Sequence, residues 1–343
     1  MDSIIHNIIF LDIGDYIISI NNIGIIILNY NLETIFKKNI NNIYRFKYKR
    51  NKYISYISKY DNNILHIYYN ETLTSTNETV PTNDETLTST DETVNVDNNL
   101  YCLYKQIYLA QKICKFFIFN NIVFISDINK IYFYKDSEIY DTVSIFINSS
   151  FEVLKFKNLY KIIYQSDKVN LVICEMKFDK NTKNIKNIIP HKSSISKFKL
   201  SNCGNYCLTT SIKGTILRIF KLINYDLVKE FRISYYNIEI NLIKISHNNK
   251  WIIILYNNYY IKIFKFNLNQ LFFLENYYSY FYIQDMNFKI TFNKSNEDYF
   301  YIATETGKLI LLEIKENEPK ILNITRFMDN NFNEMIRMNL SFN

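Results

Sequence analysis

The stretch that decides the fold is HKSSISKFKLSNCGNYCLTTSIKGTILRIFKLINYDLVKEFRIS, residues 191–234. Within it, one apolar strand starts at Tyr206, a turn follows around Gly214, and a second apolar strand runs from Ile216 to Phe220. Glycine suits such a turn because it adopts a positive φ without steric cost. The stretch therefore predicts a β-hairpin whose two strands are joined at Gly214.

The same hairpin recurs along the chain at a regular spacing. Tyr16 precedes Gly24 by the same eight residues that separate Tyr206 from Gly214, and Tyr299 precedes Gly307 likewise. More loosely, the template fits seven starting positions, which are Tyr16, Tyr53, Ile122, Tyr160, Tyr206, Trp251 and Tyr299. A period of roughly 40 residues with paired strands is typical of a β-propeller, and seven units is a common closure.

We therefore expect an all-β protein, a seven-bladed β-propeller with WD40-like repeats that forms a single domain over residues 1–343. A β-sandwich of many strands is the alternative, but sandwiches do not repeat one hairpin at a fixed offset. The composition agrees with either all-β class, because the chain has 30 Tyr and 26 Phe against 5 Gly, and aromatic residues favour strands. Asparagine is expected to replace glycine in many turns, since it tolerates a positive φ.

Residues 71–98 interrupt the repeat and contain ETLTSTNETV followed by ETLTSTDETV. This segment is rich in Thr, holds seven acids and has no Lys or Arg. With no aromatic residues it cannot bury enough apolar surface to fold, so we expect a disordered loop in the outer part of the second blade. It is either a site of phosphorylation or a neutral insertion. Residues 328–343 are expected to form a flexible tail.

The charge balance is basic, with a formal net charge of +7 for the whole chain. A basic body suits an anionic membrane surface or nucleic acid, and it is equally compatible with a solvated surface rich in lysine. The stretch KYKRNKY, residues 47–53, is read as an exposed blade edge rather than a nucleic-acid site, and no nucleic-acid partner is expected.

Targeting and redox signals indicate a cytosolic protein. The five cysteines form no C-x-x-C pair, which suggests reduced thiols. The N-terminal stretch lacks a basic region, and no run of about 18 apolar residues occurs, so neither a signal peptide nor a transmembrane helix is expected. The four histidines lie beside no Cys or acid at metal-ligand spacing, and no catalytic motif appears. We therefore expect no enzyme activity, no metal and no cofactor.

Hydroxyl groups, a glycine and two arginines fall close together in residues 209–232, in the combination that an anionic phosphate group needs. Arginine supplies charge and a planar fork of donors, and hydroxyl groups supply short donors. Arg218 lies between apolar neighbours on one strand face and needs a partner, because an unpaired buried charge is costly. Its partner is either an acid of a neighbouring blade or a phosphate.

This region resembles the PROPPIN (WIPI) family of phosphoinositide-binding, seven-bladed β-propellers. The family runs are A-H-x-S-x-I, then G-x-x-x-A-T-A-S-x-K-G-T-x-I-R-x-F, then F/L-R-R-G. The positions kept here are His191, Ser194, Ile195, Gly204, Thr209, Thr210, Ser211, Lys213, Gly214, Thr215, Arg218, Phe220, Phe231 and Arg232. In the last run, Ile233 replaces the second arginine and Ser234 replaces the glycine.

The resemblance implies one complete lipid pocket on the rim of the fifth blade. Its phosphoinositide-binding residues would be His191, Thr209, Ser211, Gly214, Thr215, Arg218 and Arg232. The ligand would be phosphatidylinositol 3-phosphate or the 3,5-bisphosphate. The second pocket of the family would be lost or weak, because Ile233, Ser234, Leu255 and Tyr256 stand in its ligand positions and only Lys262 carries charge. On this view, Ile233→Arg with Ser234→Gly should strengthen binding.

The resemblance also implies a membrane-inserting loop after the sixth blade's inner strands. The apolar cluster there is Leu271, Phe272, Phe273 and Leu274; alternatively, these residues form the outer strand of the blade. Two functions stay open. One is a cytosolic effector recruited to phosphoinositide-bearing phagophore, endosomal, vacuolar or other organelle membranes, with a scaffold protein of autophagy or vesicle traffic as partner. The other is a protein-interaction platform that has lost lipid binding.

Overall fold

The computed structural model describes side chains for residues 55–58, 61–68, 105–136 and 138–266, and for positions 290, 292, 296, 298–302 and 310–314. Other strands are described by their backbone course alone. Within these residues every regular element is a β-strand, and the strands form seven antiparallel sheets in chain order. The chain is an all-β protein with the β-propeller fold.

The first and third sheets have four strands paired in chain order, and the second has a fifth strand, β8 (Thr93–Val96), paired beyond β9 (Asn99–Tyr108). The first contains β1 (Asn7–Phe10), β2 (Tyr16–Ile20), β3 (Ile25–Asn29) and β4 (Thr34–Lys38). The second contains β5 (Ile43–Lys49), β6 (Tyr53–Ser58), β7 (Ile64–Asn70), β9 (Asn99–Tyr108) and β8 (Thr93–Val96), in that spatial order. The third contains β10 (Lys115–Phe119), β11 (Ile122–Ser126), β12 (Lys130–Lys135) and β13 (Glu138–Ser144).

The remaining four sheets follow the same four-strand order. The fourth contains β14 (Phe151–Phe156), β15 (Leu159–Gln165), β16 (Leu171–Lys177) and β17 (Thr182–Ile188). The fifth contains β18 (Ile195–Leu200), β19 (Tyr206–Ser211), β20 (Ile216–Lys221) and β21 (Leu227–Arg232). The sixth contains β22 (Ile240–Ile245), β23 (Trp251–Tyr256), β24 (Tyr260–Lys265) and β25 (Tyr277–Tyr282). The seventh contains β26 (Phe288–Phe292), β27 (Tyr299–Thr304), β28 (Lys308–Glu313) and β29 (Lys320–Arg326).

The predicted hairpin is confirmed as the second and third strands of each sheet. Six of the seven predicted starting residues are the first residue of a second strand, and Tyr160 is the second residue of β15. These strands are rich in β-branched and aromatic residues, which suit pairing in a pleated sheet. Asparagine indeed takes the place of glycine in turns, since six of the nine described non-glycine residues with positive φ are Asn.

The acidic segment, residues 71–98, was expected in the second blade. It connects β7 to β9 of the second sheet. Its first part, 71–92, lies outside the described residues. Its last part contains β8, which pairs with β9 as a fifth strand of the sheet. The prediction of disorder for 71–92 therefore stays a prediction, as does that of a flexible tail at 328–343, which also lies outside the described residues.

The chain divides into two compact units. One contains residues 1–113, 302–309 and 324–343, and the other contains 114–301 and 310–323. The second unit holds the third to sixth sheets, and it contains the stretch on which the sequence analysis focused.

Within the second unit, consecutive sheets pack face to face through apolar side chains. Phe124, Phe133 and Phe151 join the third sheet to the fourth, and Leu208, Leu217 and Ile254 join the fifth to the sixth. Every residue of β23 is buried. Burial at such positions contributes about 1.5–3 kcal/mol for each large apolar side chain.

An ion triad joins the first strands of three successive sheets in the same unit. Glu152 on β14 contacts Lys115 on β10 and Lys199 on β18, each at 2.8 Å. Burial by itself would raise the pKa of Glu152, but the two lysine charges outweigh it and hold the pKa well below its usual range. Glu152 therefore stays ionised and ties the three strands together.

Candidate functional site

The turn between β19 and β20 is built around Gly214. Its φ is +66°, and its N–H donates to the carbonyl of Ser211 at 2.9 Å. The carbonyl oxygen of Ile238 lies where a Cβ of residue 214 would be, so no larger residue fits without movement. The glycine thus has a structural reason to be present that is independent of any ligand.

Backbone hydrogen bonds hold this turn between the two linkers that flank the fifth sheet. On one side, Ile212 N–H donates to Ser194 O at 2.9 Å. On the other side, Ile238 N–H donates to Lys213 O at 3.0 Å. The turn and both linkers therefore form one surface of the fifth sheet.

The strand register places both arginines on one face of the fifth sheet. Arg218 lies opposite Thr209 on one side and Glu230 on the other, and Arg232 lies opposite Ile216. Positions two residues apart along a strand share a face, so Arg218 and Arg232 are diagonal neighbours, with Cβ atoms roughly 7–8 Å apart by sheet geometry. The structure brings the two predicted cationic residues together.

Arg218 has two partners within the protein. Its Nε donates to Glu230 Oε1 at 2.5 Å, and one of its Nη atoms donates to the carbonyl of Pro190 at 2.6 Å. The guanidinium is half-buried, and Glu230 is more exposed than the arginine. The acid partner that the sequence left open is therefore present, and it lies on the neighbouring strand of the same blade.

His191 is buried and bonds Thr209, the residue opposite Arg218 in the strand register. Its Nε2 hydrogen-bonds Thr209 Oγ1 at 3.0 Å, and both residues are buried. Burial, assisted by the charge of Arg218, lowers the pKa of His191 to about 4. The imidazole is therefore neutral at physiological pH. His191 and Thr209 expose little surface to a ligand.

Arg232 differs from Arg218 because its side chain is exposed. Its guanidinium lies over the ring of Tyr235, 5.4 Å from the ring centroid. Within the part of the chain that the structure describes, no acid forms an ion pair with it. A guanidinium stacked on an aromatic face keeps its N–H groups directed outward in its own plane.

Ser211 and Thr215 flank the turn at different depths. Ser211 is buried and Thr215 is half-buried. The carbonyl of Thr215 accepts hydrogen bonds from the N–H groups of Ile233 and Ser234, at 2.8 and 3.3 Å. These bonds fasten the end of β21, and with it Arg232, to the turn.

The place of the second pocket is filled by apolar side chains. Ile233 is 1% exposed and packs with Ile240, Tyr256 and Phe264 between the fifth and sixth sheets. Lys262 Nζ donates to the carbonyl of Ile233, and burial lowers the pKa of this lysine. Ile233 therefore has almost no exposed surface, and the loss of the second pocket stays a prediction. The packing argues against the expectation that an arginine at 233 would restore that pocket.

The proposed membrane-inserting residues Leu271, Phe272, Phe273 and Leu274 lie outside the described residues. The fourth strand of the sixth sheet is β25, which begins at Tyr277. The four residues therefore precede the outer strand in the chain.

Sequence reasoning missed Glu230, Pro190 and Tyr235 as neighbours of the two arginines. The sequence did indicate Glu230. It is two residues before Arg232 in the same strand, so the two side chains must share the face on which the arginines lie. Pro190 and Tyr235 lie in linkers, where no periodicity indicates which way a residue points.

No protein-family model matches the sequence. Autophagy-related protein 18e of Arabidopsis thaliana is 40% identical over 68 residues, which are 20% of this chain and 18% of that protein. Autophagy-related protein 18 of Kluyveromyces lactis is 34% identical over 79 residues, 23% of this chain and 16% of that protein. The matches thus span less than a fifth of these relatives.

Solved structures match over nearly the whole chain. Kluyveromyces lactis Hsv2 has a TM-score of 0.73 at 13% identity and covers 93% of this chain and 98% of its own. KlAtg21, solved in complex with the coiled coil of AgAtg16, has a TM-score of 0.62 at 17% identity, with 91% and 95% coverage. The β-propeller domain of Myceliophthora thermophila Cps50 (Swd1) has a TM-score of 0.55 at 10% identity, with 84% and 89% coverage.

These solved structures show that the chain has the β-propeller fold. Among the described residues, no helix is long and apolar enough to span a membrane. In the same residues, no group of three or more His, Cys, Asp or Glu side chains is arranged to hold a metal ion.

Proposed function

We propose that this PROPPIN-type propeller is a phosphoinositide effector with one binding site, on the rim of its fifth blade. The ligand is phosphatidylinositol 3-phosphate or the 3,5-bisphosphate, presented on a membrane. Arg232 and Arg218 supply the charge, and Thr215 at the neighbouring turn supplies a hydroxyl donor.

The observation that carries the proposal is the exposed guanidinium of Arg232 beside Arg218. It is stacked on Tyr235 and is not paired with an acid among the described residues. Stacking restricts the side chain in advance, so less conformational entropy is lost when a phosphate binds. A planar fork of N–H groups matches two phosphate oxygens at once.

The buried layer would position the site rather than contact the ligand. His191 and Thr209 bond each other, and Arg218 is fastened to Pro190. Ser211 and Gly214 shape the turn from which Thr215 projects. Of the seven residues that the resemblance implies, Arg232, Arg218 and Thr215 have the exposure needed to touch a head group.

A single head-group site gives weak membrane binding. Two sites on one rigid body increase apparent affinity through effective concentration, and this gain is absent when one site is filled by Ile233. We therefore expect binding to depend also on the basic surface or on a protein partner.

Liposome flotation tests the proposal, with vesicles that carry individual phosphoinositides and with phosphatidylserine vesicles of matched charge. Wild type should float with the 3-phosphorylated lipids, and Arg232→Ala should lose this binding. Lys221→Ala is the matched control, since it removes an exposed cation from the same sheet. Equal flotation of wild type and Arg232→Ala on every phosphoinositide would exclude the site.

Glu230→Gln tests whether Arg218 takes part. If a phosphate competes with Glu230 for the Nε of Arg218, removing the carboxylate charge should strengthen binding. The fold should tolerate this change, because exposed ion pairs contribute only about 0–1 kcal/mol. Unchanged or weaker binding by Glu230→Gln would leave Arg232 as the sole cationic ligand.

The relatives point to the cellular role that we propose. The curated relatives are autophagy-related proteins, and the KlAtg21 structure holds a coiled coil of AgAtg16. We infer that this chain is a cytosolic protein recruited peripherally to membranes of the autophagy or vesicle-traffic system, where it binds a scaffold protein.

A second function is favoured by the pairing of Arg218 with Glu230 and by the filling of the second pocket with Ile233. Both features fit a propeller that has lost lipid binding and serves only as a protein-interaction platform. Flotation separates the two functions, because a pure platform would not distinguish phosphoinositide vesicles from phosphatidylserine vesicles.

A further inference from the structure

A cavity of about 450 Å³ opens at the first strands of the third to sixth sheets. Its walls come from β10, β14, β18 and β22 and from the linker that leads into β14. All of these belong to the second compact unit. The cavity is separate from the rim site, because neither Arg218 nor Arg232 lines it.

The charged lining of this cavity is strongly basic. Lys115 on β10, Lys197 and Lys199 on β18 and Lys244 on β22 line it, and Glu152 is the one acid among the described lining residues. Glu152 contacts Lys115 and Lys199, and among the described lining residues the four lysines outnumber this one acid by three. Cations that converge on a concave surface raise the local potential and attract anions.

An unsatisfied hydroxyl provides an independent indication of a ligand. Ser149 Oγ is buried in the lining, and it has no hydrogen-bond partner among the described residues. Buried polar groups in native proteins are nearly always paired, so such a group calls for an explanation. A bound anion whose oxygen accepts a hydrogen bond from Ser149 would supply the missing partner.

We propose that this cavity binds a small, soluble, multiply charged phosphate anion. Lysine ammonium groups bind phosphate as point charges, and lysines from three different sheets can reach separate phosphate groups of one ligand. The cavity volume suits a small molecule rather than a folded partner. The inference is independent of lipid binding at the rim.

Isothermal titration with inorganic tripolyphosphate tests the proposal, with single orthophosphate as the comparison ligand. Wild type should bind tripolyphosphate saturably and more tightly than orthophosphate, and binding should weaken as salt is added. Lys197→Gln and Lys244→Gln should each weaken binding by about tenfold or more, as expected for the loss of a hydrogen bond to a charged group. Lys186→Gln, an exposed lysine on β17, is the control with the same charge change.

Ser149→Ala separates a ligand contact from a role in folding. Because the hydroxyl has no protein partner, its removal should leave the melting temperature equal or higher while it weakens tripolyphosphate binding. An unchanged affinity in this variant, with a saturable wild type, would overturn the part assigned to Ser149.

Two further results decide between this cavity and the rim. Arg232→Ala should retain full tripolyphosphate binding, even though it is expected to lose flotation on phosphoinositide vesicles. If Arg232→Ala abolished tripolyphosphate binding, the anion site would be the rim and the cavity proposal would be wrong. No saturable binding by folded wild type at low salt would also overturn it, whatever the outcome of flotation.

Discussion

Gly214 shows how one residue can serve structure and site at once. Its φ of +66° and the approach of the Ile238 carbonyl leave no room for a side chain. We expect Gly214→Ala to lower the free energy of unfolding by about 2 kcal/mol or more, since both strain and a steric clash are introduced. Urea denaturation measures the loss, with Lys213→Ala at the adjacent exposed position as the control. Equal stability of the two variants would show that the turn relaxes freely.

His191 makes stability depend on pH. Burial and the charge of Arg218 lower its pKa to about 4 in the folded protein, against about 6.5 when unfolded. The stabilisation is therefore complete above pH 6.5 and is lost as the pH falls from there toward 4, by at most about 3 kcal/mol. Thermal melts across this range should show a slope in wild type that is reduced in His191→Gln. If the melting temperatures of wild type and His191→Gln changed in parallel with pH, the low pKa of His191 would not be a source of the pH dependence.

At the residue scale, sequence reasoning found the arginines but not what holds them. The family resemblance placed Arg218 and Arg232 in one pocket, and the strand register shows that they are diagonal neighbours. The resemblance could not show that Arg218 is paired with Glu230 while Arg232 is exposed. The two arginines differ in exposure, since Arg218 is half-buried and Arg232 is exposed. Which neighbouring residues cover each arginine is set by the tertiary structure.

At the scale of elements, the segment after β21 decides how many binding sites exist. Ile233 is buried between the fifth and sixth sheets. We expect Ile233→Arg, alone or with Ser234→Gly, to destabilise the protein by about 3 kcal/mol or more, since it places an unpaired cation in a packed apolar layer. Ile233→Val is the control, with an expected cost of roughly 1 kcal/mol. A stable arginine variant with stronger vesicle binding would instead show that the second pocket can reopen.

The repeated hairpin is the element that sequence predicted best. Its signal is local, because strand, turn and strand follow one another within about twenty residues. The fourth strands were harder to place. β13, β17 and β21 carry mostly exposed and half-buried residues, so little hydrophobic periodicity marks them.

For the whole molecule, charge is the property that governs approach to a membrane. The net charge is +7, and residues 71–92 hold six acids and no Lys or Arg. Replacing this segment with a short Gly-Ser linker raises the net charge to +13. We expect stronger binding to phosphatidylserine vesicles that lack phosphoinositide, and the increase should disappear at high salt. Co-sedimentation measures the effect, and unchanged binding at low salt would show that the acids are too distant to matter.

The sequence by itself determined the all-β class and the seven repeated hairpins. These follow from strand periodicity and turn residues, which act over short stretches of chain. Only the tertiary structure decided that Ile233 fills one pocket, that Glu230 holds Arg218, and that four lysines converge on one cavity. Those outcomes depend on which side chains neighbouring sheets bring into contact, and residues far apart in sequence carry no local signal of that contact.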